Sequence, residues 1–251
     1  MCDAGKYPWS ANPKLLEIIS QKEKVSWPVI LARGATVRSS FELNEGDVLK
    51  ISLGRSGNKP QGGSGGTFIF HVDRNQMLAV AGGAGGVIDY RIADDANASF
   101  SKLGNWSDVL SDTQDVGSGG ENHTTSSGGS GIARGPAAVE DADGIEYIVP
   151  KSYTAGLDGG ICGGPQTDRR GNSGGFGGGG FGMFPAPDDS LLTYGCGGGG
   201  GYTGGHGGKL YGGGGGSYSK DPNAVFEYQR KFSAKIARSF AQARCIITGP
   251  I

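Results

Sequence analysis

The side chains able to carry chemistry in this chain are few and scattered. The three histidines, His71, His123 and His206, are widely separated, and none stands at metal-ligand spacing from a cysteine. Each is therefore read as structural or solvent-exposed. The run GGGGGYTGG at 197–205 has the look of a phosphate-binding loop, but no GKS or GKT follows it and its glycines do not open a predicted helix. Asp188 and Asp189, in PAPDDS, read as a turn. No catalytic dyad emerges, and no metal or cofactor is expected.

With so little side-chain chemistry, the function must lie in what the chain builds. The 251 residues include 51 glycines, far above the roughly 7% of ordinary globular proteins. Hydrophobic residues at 36% still suffice for a modest core in one or two domains. A formal net charge of -1 argues against nucleic acid or an anionic membrane surface as partner. The first residues, MCDAGKYPWS, lack the basic and apolar parts of a signal peptide, and the longest apolar run, Trp27 to Ala32, is too short to cross a bilayer. The chain itself is expected to be soluble, with neither a signal peptide nor a membrane span.

Four stretches follow from the pattern. Residues 1–26 hold a short helix over Pro13 to Lys24, which starts with proline after an asparagine cap and has Leu15, Leu16, Ile18 and Ile19 on one face. Residues 27–155 read as an antiparallel β unit: VSWPVILA, TVRSSFEL, DVLKISLG, TFIFHV and QMLAVAG are rich in β-branched and aromatic residues, with NEGD and DRNQ as turns. GIEYIVPKSY at Gly144 to Tyr153 adds a strand, and glycine clusters interrupt the unit at Gly82 to Gly86, Gly117 to Gly120 and Ser127 to Gly131. Residues 156–219 are the densest glycine zone. In 220–251, Tyr228, Phe232, Ile236 and Phe240 stand four apart among basic residues, which predicts an amphipathic helix with a packing role.

The glycine zone is not linker chemistry. A flexible spacer alternates glycine and serine with few aromatics, whereas this zone carries Phe176, Phe181, Phe184, Tyr194, Tyr202, Tyr211 and Tyr218, with Cys162 and Cys196 inside it. Glycine does not recur at every third place, so a collagen triple helix is excluded. Arg169 and Arg170 stand alone, without the Arg-Gly-Gly repeats of RNA-binding arms. What remains is a bundle of polyproline-II-type helices made largely of glycine. Such a helix has no internal hydrogen bonds, so its amides must pair with neighbours that only residues lacking a Cβ allow close enough.

Six blocks in order carry a family resemblance: NEGDVLKISLGRSG (Asn44 to Gly57), GGSGGTFIFHVD (Gly62 to Asp73), LAVAGGAGG (Leu78 to Gly86), GLDGGICGG (Gly156 to Gly164), NSGGFGGGGFG (Asn172 to Gly182) and YGCGGGGGYTGG (Tyr194 to Gly205). Over roughly Ala35 to Ser217 the chain resembles the glycine-rich extracellular domain of the anaplastic lymphoma kinase and leukocyte tyrosine kinase receptors. The resemblance implies a mainly β fold, in which an antiparallel sandwich of the tumour-necrosis-factor kind is combined with a bundle of glycine helices. It also implies binding of a small secreted cytokine, formation of a ligand-induced receptor dimer, and an extracellular or cell-surface location. Family cysteines flank the GGFGGGG run, which implies a disulfide between Cys162 and Cys196, with Cys2 and Cys245 unassigned. The chain has neither an HRD catalytic loop nor a DFG metal site, so the kinase chemistry of the family is not expected on it. Three sequons, at Asn97, Asn105 and Asn122, fit an extracellular surface as glycosylation positions. The residues leave ligand contacts unassigned. They also leave open a rival reading, a secreted structural glycine-rich protein of matrix or ice-binding type.

Overall fold

The computed structural model describes residues 32–58, 61–88, 94–107, 115–122, 126–140, 146–161, 170–184 and 195–228. Within them the chain forms ten short strands, several of them rich in β-branched and aromatic residues. They are β1 (Ala35–Arg38), β2 (Leu49–Ser52), β3 (Thr67–His71), β4 (Gln76–Ala81), β5 (Val139–Glu140), β6 (Glu146–Tyr147), β7 (Arg170–Asn172), β8 (Gly182–Phe184), β9 (Tyr218–Ser219) and β10 (Val225–Tyr228). The main sheet has the order β2-β3-β4-β9, and β1-β10, β5-β6 and β7-β8 form antiparallel pairs. The described residues are thus mainly β and antiparallel, as the sequence predicts. Their helical pieces are two short 3-10 turns, Asp94–Ala96 and Tyr153–Ala155, and none is long and apolar enough to cross a membrane.

One expectation is corrected. The C-terminal stretch predicted as a helix begins as strand β10, whose Val225, Phe226, Glu227 and Tyr228 pair with Arg38, Val37, Thr36 and Ala35. The four-residue spacing of aromatics starts only at Tyr228, while Phe226 and Tyr228, two apart, lie on one face of the strand. Across the pair, Phe100 packs its ring 4.4 Å from Tyr228 and 6.3 Å from Phe226. Arg33 also lies over the Tyr228 ring, 4.6 Å from its centre. This aromatic contact favours a flat strand over a helix. The helix expected over Pro13 to Lys24, and the spacing beyond Tyr228, lie outside the described residues.

The core joins the sheet to the later chain. Phe68 and Val80, paired across β3 and β4, are buried with Leu157, and Met77, Ile132, Tyr153, Tyr202 and Tyr218 close around them. The register shifts between Ile69 and Phe70, so Leu78 has no partner across the ladder. The Leu78 carbonyl instead accepts the Lys220 N–H at 2.8 Å, next to β9.

Around this core the glycine clusters form a hydrogen-bonded body without ladders. Its centre is the segment 197–202, whose six amides donate in rotation to three neighbouring segments. Gly197 and Gly200 donate to Gln61 and Ser64; Gly198 and Gly201 to Ser127 and Ser130; Gly199 and Tyr202 to Gly213 and Gly216. Both donors and acceptors advance by three residues, and the bonds span 2.8 to 3.1 Å. Carbonyls point the other way: those of Gly197 and Gly200 accept from Gly86 and Gly83, that of Gly198 from Gly180, and that of Gly199 from Gly205. A Cβ on any of Gly197, Gly198, Gly199 or Gly200 would overlap a carbonyl oxygen of an adjacent segment. The hydrogen that glycine has in that place faces the oxygen, the geometry of a Cα–H···O contact. The body draws on both sides of residue 155, since clusters at 61–66, 83–86 and 127–131 bond to those at 174–182 and 197–216.

Candidate functional site

Specific binding needs side chains, and the glycine body offers mostly backbone. Varied chemistry gathers instead at one end of β2 and β3, where the turns before β2 and after β3 are clipped together. The β3–β4 turn closes through the Asn75 N–H donating to the Val72 carbonyl at 3.0 Å. Asn75 adopts a left-handed φ of 46°, which asparagine tolerates. Buried His71 anchors that turn, with Nδ1 accepting the Arg74 N–H at 3.2 Å. Its Nε2 comes within 3.0 Å of Asp47 Oδ2. Asp47 Oδ2 also accepts the Asn44 N–H at 2.9 Å and the Arg74 guanidinium at 2.8 Å. Arg74 reaches on to the Glu42 carbonyl at 3.3 Å, and Asp73 accepts the Val48 N–H at 3.0 Å.

This clip holds three apolar side chains in water. Leu43, Val48 and Val72 are 43%, 53% and 44% exposed, and the Val72 N–H donates to the Val48 carbonyl at 2.8 Å, which makes two of them neighbours. Val48 and Val72 thus form a small apolar pair on a fixed backbone, with Leu43 exposed in the stretch before β2 and Glu42, Asp73 and Arg74 in the same two turns. That is the make-up of a protein-contact surface: apolar centre, charged rim, and little ordering left to do on binding. Catalysis is not suggested, because the carboxylate and imidazole are occupied in holding the turns.

The Asp47 carboxyl is kept below its ordinary value of 3.8, first by the Asn44 N–H, then by His71, with Arg74 adding to both and desolvation opposing them. Asp221 is lowered likewise by the Ser40 and Asn223 N–H groups. A carboxyl with a depressed folded-state pKa contributes stability above its unfolded value and loses it as pH falls through the folded one. The melting temperature is therefore expected to fall as pH drops below about 4. Asp47→Asn should flatten that slope, as read by thermal melts at a series of acidic pH values; an unchanged slope would remove the clip from the account.

The remaining predicted positions are dispersed. His206 is buried in the glycine body with Nδ1 3.9 Å from Glu121, and His123, Asp188 and Asp189 lie outside the described residues. Among the described residues no His, Cys, Asp or Glu cluster is placed to hold a metal. The amides of 197–202 are all spent on neighbouring carbonyls, which leaves no cradle for phosphate there. Cys196 is buried with Sγ 3.3 Å from the Leu210 carbonyl oxygen, while Cys162, Cys2 and Cys245 lie outside the described residues.

All three sequon asparagines serve the structure. Asn97 is 1% exposed, and its Oδ1 accepts the Arg33 N–H at 2.9 Å. A glycan there would require the residue to leave its buried position. Asn105 donates to the Asn97 carbonyl at 2.9 Å; Asn122 donates to the Ala137 carbonyl at 2.7 Å and accepts the Gly128 N–H at 3.0 Å. Each of these two amides keeps a second hydrogen, the place where a sugar attaches.

A shallow hollow of about 380 Å³ is lined by Arg38, Ser39, Ser40, Asp221, Asn223 and Val225. Its carboxylate, Asp221, accepts the Ser40 and Asn223 N–H groups at 2.9 and 2.8 Å and is thereby committed to the turn. Sequence reasoning placed NEGD and DRNQ as turns but did not bring Asp47 to His71 and Arg74. Two acidic turns flanking a histidine-ended strand are the signal from which it could have been found. No protein-family model matches the chain, and no curated protein matches it.

Proposed function

We propose that the chain is the ligand-binding part of the extracellular region of a receptor related to anaplastic lymphoma kinase. In this reading it captures a small secreted cytokine and brings two receptors together at the cell surface. The observation that carries the reading is the rotation of the 197–202 amides among three neighbouring segments, with each partner advancing by three residues. A helix of three residues per turn with no internal hydrogen bonds is the polyproline-II geometry. Segments bonded around 197–202 in this way support the glycine bundle that the resemblance implies. The strands around Phe68 and Val80 would be the sandwich of the tumour-necrosis-factor kind. The glycine body then acts as a stiff mount, and the clipped turns of Leu43, Val48 and Val72 as the contact surface.

The test is size-exclusion chromatography of the chain, made in an oxidising host, with candidate small secreted cytokines. A complex containing two copies of the chain is expected, with no phosphotransfer from ATP. Val72→Asp should weaken it at least about tenfold, since a charge would be buried in an apolar contact, and should leave the melting temperature unchanged. No complex with any candidate, together with open-ended polymers of the chain alone, would support the structural glycine-rich protein instead.

A further inference from the structure

We propose that the free edge of β2 pairs with the same edge of a second copy of this chain, antiparallel and in register about Ile51. β2 is an outer strand of the main sheet. It pairs with β3 as Leu49↔His71, Lys50↔Phe70, Ile51↔Ile69 and Ser52↔Phe68, and the Val72 N–H bonds the Val48 carbonyl. In an antiparallel ladder the bonded pairs alternate. Residues 48, 50 and 52 therefore turn their main-chain groups to β3, whereas Leu49, Ile51 and Leu53 turn theirs outward. No described segment bonds to those outward groups. The window is bounded on one side by the turn at Asp47 and on the other by Arg55, whose N–H donates to the Phe176 carbonyl at 2.8 Å.

The sequence of this window complements itself. A two-fold axis at Ile51 sets Ile51 opposite its own copy, Leu49 opposite Leu53, and Lys50 opposite Ser52. All three outward residues become hydrogen-bonded pairs. Their side chains share one face of the strand, and Ile51 and Leu53 are 37% and 41% exposed. Apolar residues thus meet apolar ones, no like charges are opposed, and past the window Arg55 falls opposite Asp47 of the second copy. Edge strands are commonly guarded by a lysine. Here Lys50 is turned to the other face, with its ammonium 5.2 Å from the centre of the Tyr153 ring.

The contact is small. Two strands of this length bury well under the roughly 1,200 Å² of a stable specific interface, so the dimer is weak, with Kd on the order of 100 µM. Because the two-fold is closed, association stops at two copies, unlike the open polymers of a matrix protein. The inference does not depend on the receptor reading. Where copies are held side by side on a surface, a weak closed contact of this kind is strengthened by local concentration.

Sedimentation velocity over a concentration series is expected to show a monomer–dimer equilibrium. Ile51→Lys, which opposes two ammonium groups at the axis, should weaken it at least about tenfold. An equimolar mixture of Ile51→Lys and Ile51→Glu should restore it. Amide exchange of the unmodified chain supplies a readout that needs no variant: the Leu49, Ile51 and Leu53 amides should slow as concentration rises, while those of Lys50 and Ser52 stay constant. A chain that remains monomeric throughout would overturn the proposal. So would a dimer indifferent to Ile51→Lys, a charge-swapped mixture that stays monomeric, or exchange at the three outward amides that ignores concentration.

Discussion

Gly199→Ala is expected to prevent the chain from folding, or to lower its stability by about 3–5 kcal/mol. The Gly199 N–H donates to the Gly213 carbonyl at 2.9 Å, and its own carbonyl accepts from Gly205 at 2.8 Å. A methyl group would overlap the Gly83 carbonyl oxygen and stand 2.8 Å from the Gly215 nitrogen. These obstacles are main chain in buried segments that are themselves hydrogen-bonded, so no rotamer change relieves the clash. The segments must separate, and separation breaks bonds that no water is positioned to replace. A loss of that size is a large part of the 5–15 kcal/mol that typically holds a domain together. Gly46→Ala is the control, with open space around its Cβ but a φ of +92°. It should cost only about 1 kcal/mol, from backbone strain alone. Thermal melts of the two variants decide the matter. A Gly199→Ala protein that melts within a few degrees of the parent would mean that the segments are not packed through their glycines.

Much of this architecture is legible in the residues, and what is not has a physical reason. TFIFHV and QMLAVAG announce β3 and β4 because β-branched and aromatic side chains alternate on a half-buried surface. The interleaved aromatics among 176–218 mark the glycine zone as packed rather than spacer. Which segments adjoin is not legible, because glycine hydrogen bonds leave no side-chain pattern to set the register. A trace does exist: Gln61 and Ser64, and Ser127 and Ser130, are three apart and accept from 197–201 in step. Strand β10 was hidden by its shortness, four residues running directly into aromatics spaced for a helix. The clip at His71 was hidden by distance in sequence. Asp47 precedes β2 and Arg74 follows β3, and only the hairpin-like pairing of those strands lays the carboxylate beside the imidazole and the guanidinium.

Phe68→Ala is expected to lower stability by about 3–5 kcal/mol and to loosen the sheet and the glycine body together. Phe68 is completely buried, opposite Val80 in the ladder, and its ring lies 5.3 Å from that of Tyr153. Leu157 closes the same cluster from beyond residue 155, with the tilted rings of Tyr202 and Tyr218 4.7 Å apart on its border. Among the described residues the aromatic core is thus shared between the strands and the glycine segments, so a cavity at Phe68 touches both. Main-chain bonds cross the same line, such as Ser64 accepting from Gly200 and Arg55 donating to Phe176. Amide exchange under mildly destabilising conditions separates two outcomes. If the parts fold as one unit, the Val80 and Gly199 amides should lose protection by the same factor in the variant. Protection kept at Gly199 while Val80 opens would show instead that the glycine body stands alone, and its stability would then rest on its own hydrogen bonds rather than on the aromatic core beside it.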